Sequence, residues 1–335
     1  MGKEISMKIK GVAILIMLCH HFIVMPFSEF PVLVKAFGDA CKICVAIYAV
    51  LSGYGYYFSK EKTIRYGLRK IGGGGIKDLL DFSFYYLYSC SHIRGAELTP
   101  GKLVLEIFGL YPNLNWFAWY VYFYIFCMLI MPFIYKSFRF HPIVNLGLLL
   151  VVPYLIELAL YGVPNNDQIT FVHELISCMV YFPCFLIGFW MADNKVIEKY
   201  KSSQWSKVFI LNIVGITAVF AMRILIHEAL GFLFDVFYAP LLICFFAGAF
   251  EALSKARFVN ASFIILGKYS TGMWFFHAAF FSKYACDWFK PILLLVSWPP
   301  LMFVWLIFLS LLGAVFYQKV LDGLTAIPRL LKRSL

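Results

Sequence analysis

Residues 10–21 read KGVAILIMLCHH. A cation opens an apolar run, and two adjacent histidines sit inside it. As a helix, eleven steps of about 1.5 Å carry His21 roughly 16 Å inward from Lys10. That is on the order of half of a ~30 Å hydrocarbon core. A titratable ring at that depth is costly unless it faces the protein interior or a watery cavity, which makes it a candidate functional group. The plain alternative is a histidine that hydrogen-bonds between helices as structural glue.

The rest of the chain supports a membrane reading. Of 335 residues, 62% are hydrophobic and only 14% charged, and the mean hydropathy is +0.81. These values exclude an ordinary soluble domain. No long polar stretch interrupts them, so the sequence predicts a single all-α integral membrane domain over residues 1–335. Apolar runs between charged turns predict a bundle of about ten transmembrane helices, at 10–27, 37–58, 78–93, 115–135, 143–161, 175–192, 207–227, 232–251, 269–286 and 292–317. The first run lacks a small-residue cleavage site and continues into HHFIVMPF, so it reads as a retained span rather than a signal peptide. The nine cysteines lie mostly in apolar runs and are odd in number, which suits small hydrophobes rather than a disulfide framework. Cys41 and Cys44 have CxxC spacing, but no second pair or suitably spaced histidine accompanies them, so no metal is expected.

The net charge of +11 is read as topology, not as nucleic-acid binding. With the N-terminus in the cytoplasm, 22 of the 29 Lys and Arg residues fall on inner segments and six on outer ones. Arg223 is the one left in a span. This split predicts that both termini are cytoplasmic. The most basic segment is residues 59–77, SKEKTIRYGLRKIGGGGIK. On a helix Arg65 and Arg69 share a face and could grip one polyanion, and glycines 72–75 would let backbone N–H groups approach phosphate oxygens. A topogenic loop with a flexible turn explains the same residues. On the outer side, residues 94–115 lead into Trp116, Trp119 and Tyr120, either an interfacial belt or a stacking surface for sugar rings.

Helical rise places Ser52 about 12 Å above the inner surface and His277 about 13–14 Å deep, close to the level of His21. Three spans thus carry hydrogen-bonding groups at one height.

These residues lie in motifs that resemble acyltransferase family 3, the membrane O-acyltransferases and O-acetyltransferases of extracytoplasmic glycans. Lys10 and His21 match the family's opening, a basic residue and then ten residues before a histidine. VLSGYGYYFS at 50–59 is similar to its FxxSGF segment, with Ser52 and Gly53. NWFAWYVYFYIFCMLIMP at 115–132 resembles its Trp-Tyr-rich middle span, and YFPCFLIGFWMA at 181–192 its FxxG span. LGKYSTGMWFFH at 266–277 is similar to its LGxxSYxxYLxH segment, with Thr271 and Gly272 in place of Tyr-Ser. The family's RxxR pair is spaced here as Arg65-x3-Arg69, followed by Lys70.

The resemblance implies transfer of an acyl group, most often acetyl, from cytoplasmic acyl-CoA (acetyl-CoA as donor) to a hydroxyl of a cell-surface or lipid-linked glycan. It implies a multi-pass protein of the plasma or inner membrane, with acyl-CoA, glycan and membrane lipid as partners and no nucleic acid. Lys10, Arg65, Arg69 and Lys70 would bind the acyl-CoA. His21, with His20 beside it, would be the catalytic pair, His21 acting as general base or acyl carrier. His20 lies about 100° around the helix and reads as a packed or hydrogen-bonded neighbour. Ser52, Trp116, Tyr120, Ser270 and His277 would line the pocket. Glu157, in the fifth expected span, is placed either to orient an imidazole or at the outer interface. A transporter or flippase with polar residues along its path is the alternative reading. The absence of a repeat between the two halves counts against it.

Overall fold

Apolar residues in runs of about twenty, with backbone groups that water cannot satisfy, favour helices above all else. A computed structural model describes residues 1–24, 30–70, 99–101, 119–162, 170–230, 234–281 and 286–331, and every regular element among them is helical. In chain order these are α1 (Lys3–Val24), α2 (Val32–Ala40), α3 (Cys44–Tyr57), α4 (Ile64–Lys70), α5 (Trp119–Phe140), α6 (Pro142–Tyr161) and α7 (Thr170–Asp193). They continue with α8 (Val196–Ser202), α9 (Phe209–Leu230), α10 (Asp235–Ala252), α11 (Arg257–Phe281), α12 (Cys286–Leu293) and α13 (Pro299–Leu331). One-turn 3-10 segments fall at Cys41–Ile43 and Trp205–Lys207.

Six described helices are long and apolar enough to cross a membrane: α1, α5, α7, α9, α10 and α13. The expected span at 78–93 lies outside the described residues. The one at 37–58 is broken into α2, a 3-10 turn and α3, whose 14 residues span about 21 Å. The expected ninth span, 269–286, begins within α11 and runs past its end at Phe281; Lys268, Ser270 and His277 dilute the hydropathy of this 25-residue helix.

The chain divides into two compact units. The first holds residues 1–44, 203–231 and 245–335, the second residues 45–202 and 232–244. In the first, α1 packs along α11, α11 along α13, and α2 against both α1 and α9. Its core includes Ile9, Ala13, Ile14 and Leu18 of α1 and Ala278 of α11. In the second, α7 packs on α5 and α6, and α4 on α5, around Phe123, Cys127, Met131, Phe185 and Leu186.

Water drives no association between helices in lipid, so close backbone contact through small residues has to hold them together. Each unit does this at a reciprocal pair of glycines. In the first, a Cβ on Gly11 would strike the Phe263 backbone, and one on Gly267 would strike the Met7 backbone. In the second, Gly53 abuts the backbone of Phe185 and Gly188 that of Val50. A further approach seats α13 on α11: a Cβ at Gly272 would lie 2.9 Å from the Ala314 methyl.

Candidate active site

The α1–α11 crossing determines what the histidines can do. Gly11 and Gly267 mark the same height on two helices that run in the same direction. His21 is ten residues past Gly11 and His277 ten past Gly267, so each ring lies about 15 Å beyond the crossing. Equal offsets bring the two rings to one level. His21 Nδ1 lies 2.7 Å from His277 Nε2. The ring planes are within 7° of parallel and the centroids 4.8 Å apart, which at that N···N distance leaves only an edge-to-edge, in-line bond.

The tautomers follow from the hydrogen bonding. His277 Nδ1 contacts the Trp274 carbonyl oxygen one turn earlier. A carbonyl only accepts, so His277 Nδ1 carries the hydrogen and, in the neutral ring, Nε2 carries the lone pair. His21 Nδ1–H therefore donates to His277 Nε2, and the lone pair of His21 resides on Nε2. The result is a directed chain from backbone carbonyl to His277 to His21. His277 is fully buried. Phe281 closes one side, its ring centroid 6.4 Å from that of His21 and 6.0 Å from that of His277.

His20 faces elsewhere, as its angular offset predicts. Its Nδ1 bonds the Gly38 carbonyl oxygen at 2.8 Å, and its ring centroid is 5.0 Å from that of His21. It ties α1 to the end of α2. Ser270 is buried, and its Oγ donates to Gly267 O at 3.0 Å, a bond within its own helix beside the glycine crossing. Lys10 is half-buried near the start of α1. Its neighbour Lys8 is the more enclosed of the two, bonded to Glu4 at 2.5 Å and lying over the Phe250 ring.

The remaining expected residues belong to the second unit, apart from Trp116, which lies outside the described residues. The buried Tyr120 hydroxyl lies against the Ser52 side chain, and Tyr48 meets the Tyr120 ring edge-on at 6.3 Å. On α4, Arg65 and Arg69 are one turn apart and exposed, as is Lys70. Gly67 seats α4 on α5, its Cβ position 2.7 Å from Met128 O. Two residues along a helix is about 200°, so both arginines point away from that contact. Arg69 and Lys70 lie over the Tyr66 ring, and Arg69 meets Glu61 at 3.6 Å. Glycines 72–75 lie outside the described residues. Tyr54 donates to both carboxylate oxygens of Glu198, at 2.9 and 3.2 Å, and fastens α3 to α8.

On sequence alone His277 reads as a pocket residue, and Glu157, on α6, as a candidate to orient an imidazole. The structure puts His277 itself in the orienting position for His21. The equal ten-residue offsets from Gly11 and Gly267 are the signal that could have found it. Among the described residues, no group of three or more His, Cys, Asp or Glu side chains could hold a metal ion.

Long apolar helices crossing at glycines, with a directed histidine pair in the core, define an all-helical, multi-pass membrane protein with a site equipped for proton or acyl transfer. The acyltransferase family 3 model, described as an acyltransferase domain, matches residues 9–318, nearly the whole chain. The chain belongs to that family, and the family implies an acyltransferase. No curated protein and no solved structure matches it.

Proposed function

We propose that this membrane acyltransferase takes its acyl group, typically acetyl, from cytoplasmic acyl-CoA and passes it to a hydroxyl of a cell-surface or lipid-linked glycan. The observation that carries the reading is the directed bond from His21 Nδ1 to His277 Nε2. A ring held in one tautomer presents one basic nitrogen, Nε2, in a fixed orientation. In direct transfer, Nε2 takes the acceptor's hydroxyl proton as the oxygen attacks the thioester carbonyl. The CoA thiolate then leaves and recovers that proton from the imidazolium. In the two-step alternative, Nε2 attacks the thioester carbonyl and expels the CoA thiolate, so that the acyl group rides on Nε2; the acceptor hydroxyl then attacks that carbonyl, Nε2 leaves, and the hydroxyl proton ends on the thiolate. In both, His277 is a positioning residue, and its own chain to Trp274 O spreads the charge that develops on His21.

Arg65, Arg69 and Lys70 are assigned to the CoA phosphates. Their exposure and clustering on α4 support this, since guanidinium forks suit phosphate oxygens. Lys10 is assigned to the same anionic end. Ser52 and Tyr120, whose side chains meet, are assigned to the substrate pocket along with Trp116 and Ser270. We place ten spans in the plasma or inner membrane with both termini cytoplasmic, a reading supported by the uneven distribution of Lys and Arg.

The test is to incubate inverted membrane vesicles with acetyl-CoA labelled in the acetyl group. Label should pass to glycan, or transiently to protein, and should not when His21 is alanine. Transfer undiminished by that substitution in correctly inserted protein would end the assignment.

A further inference from the structure

Tyr56 lies in the last turn of α3 and is almost wholly enclosed, with 4% of its surface exposed. Phe185 and Phe189 of α7 pack on its ring, with centroids 6.0 and 6.3 Å away, and Tyr66 of α4 meets it edge-on at 6.5 Å. Its hydroxyl is buried and has no hydrogen-bond partner among the described residues. A phenol sealed in this way forfeits its bond to water and gains none in return, so such groups are rare in folded proteins. Phenylalanine would fill the same space without that cost. The hydroxyl therefore calls for a partner that arrives from outside the chain.

The surroundings narrow the choice of partner. The Tyr66 ring that touches Tyr56 belongs to the basic helix α4, and Arg69 and Lys70 lie over that same ring. Tyr66 is half-buried on a helix of seven residues, so its ring can turn aside without shifting a long helix. On α3, Tyr56 stands four residues before Lys60, and Ser52 and Tyr48 follow it at one-turn intervals deeper into the helix. Tyr56 thus lies between an exposed basic cluster and a stripe of hydroxyl groups. The rings that touch it are aromatic and uncharged. This setting suits a neutral polar group that comes next to phosphates along one molecule. In acyl-CoA the segment that follows the pyrophosphate is the pantetheine arm, which is thin, uncharged and bears two amides. An amide carbonyl accepts a bond from a phenol O–H, and no charge has to be desolvated.

We propose that the Tyr56 hydroxyl donates to an amide carbonyl of the pantetheine arm once Tyr66 has turned aside, and so positions the arm just inside the phosphate clamp. The assignment rests on acyl-CoA as donor, and its test separates the two. Affinities for CoA and for adenosine bisphosphate, which keeps the nucleotide and lacks the pantetheine arm, are measured calorimetrically on the full chain in detergent. Tyr56→Phe should weaken CoA about fivefold, the contribution of one neutral hydrogen bond, and leave adenosine bisphosphate unchanged. Arg65→Gln with Arg69→Gln should weaken both ligands instead. Because Tyr56→Phe removes an unpartnered buried hydroxyl, the thermal midpoint of the ligand-free protein should rise, whereas loss of a purely structural tyrosine would lower it. Equal CoA affinity in Tyr56→Phe and the unaltered protein would overturn the role of Tyr56 and leave the donor standing. So would a parallel loss of affinity for adenosine bisphosphate, or a lowered midpoint. Failure of the unaltered protein to bind CoA would overturn both.

Discussion

In the first unit, a pair of glycines presses two backbones together and thereby sets the height of two histidines, the half-buried His21 and the buried His277. In the second, Gly67 presses α4 onto α5 and leaves Arg65 and Arg69 exposed on the other side. One glycine contact creates precision at a distance, and the other only provides a seat. The difference suits the roles proposed for the two regions. A general base must present one nitrogen in one direction, and small errors of position are costly. A clamp for a polyanion needs charge and reach, and long side chains in water provide both.

The comparison can be broken at its strongest point by His21→Ala. Removing a general base typically costs 10²–10⁴-fold, so labelled acyl transfer should fall by about that factor in membranes that contain the same amount of protein. His277→Ala should cost less, on the order of 10–100-fold, the usual effect of removing a partner that fixes a histidine. His277→Gln, whose side-chain oxygen can still accept from His21 Nδ1–H, should retain more activity than the alanine variant. Equal loss in both would show that the bond to Nδ1 is unimportant.

Gly267→Val tests the crossing itself. The new side chain meets the Met7 backbone, which cannot yield as a flexible side chain could. Overpacking of this kind costs about 1–3 kcal/mol, and the pair of rings about 15 Å away should lose register. Thermal unfolding in detergent and transfer rate should therefore fall together. Gly55→Ala is the control: it lies in α3 with nothing within 4 Å of its Cβ position, so the change should stabilise by about 0.5–1 kcal/mol.

The smallest effect belongs to the proposed clamp. Arg65→Gln with Arg69→Gln should raise KM for acyl-CoA by about tenfold or less, with little change in kcat, since exposed charges are screened. The increase should shrink further at high salt. A large fall in kcat instead would move these arginines into the chemistry.

Much of the candidate site was legible residue by residue. His21 was marked by depth, Arg65 and Arg69 by helical spacing, and Ser52, Gly53, Gly188 and Gly267 by motifs that resemble a family. What those motifs are for was less legible. Gly53, Gly188 and Gly267 are points of backbone contact, and Ser270 bonds its own helix at the crossing. A motif shows which residue stands at a position, but a glycine's value lies in the atoms of another helix that approach it.

The sequence by itself determined that the chain is helical and belongs in a membrane, because hydropathy and helical rise are local properties that add up residue by residue. It also determined the family. Only the tertiary structure decided that His277 orients His21, which lone pair is presented, and that Tyr56 lies buried against Tyr66 of α4. Those facts depend on register between helices. His21 and His277 are 256 positions apart, as are Gly11 and Gly267, and only the packed backbones convert that shared interval into a bond of 2.7 Å.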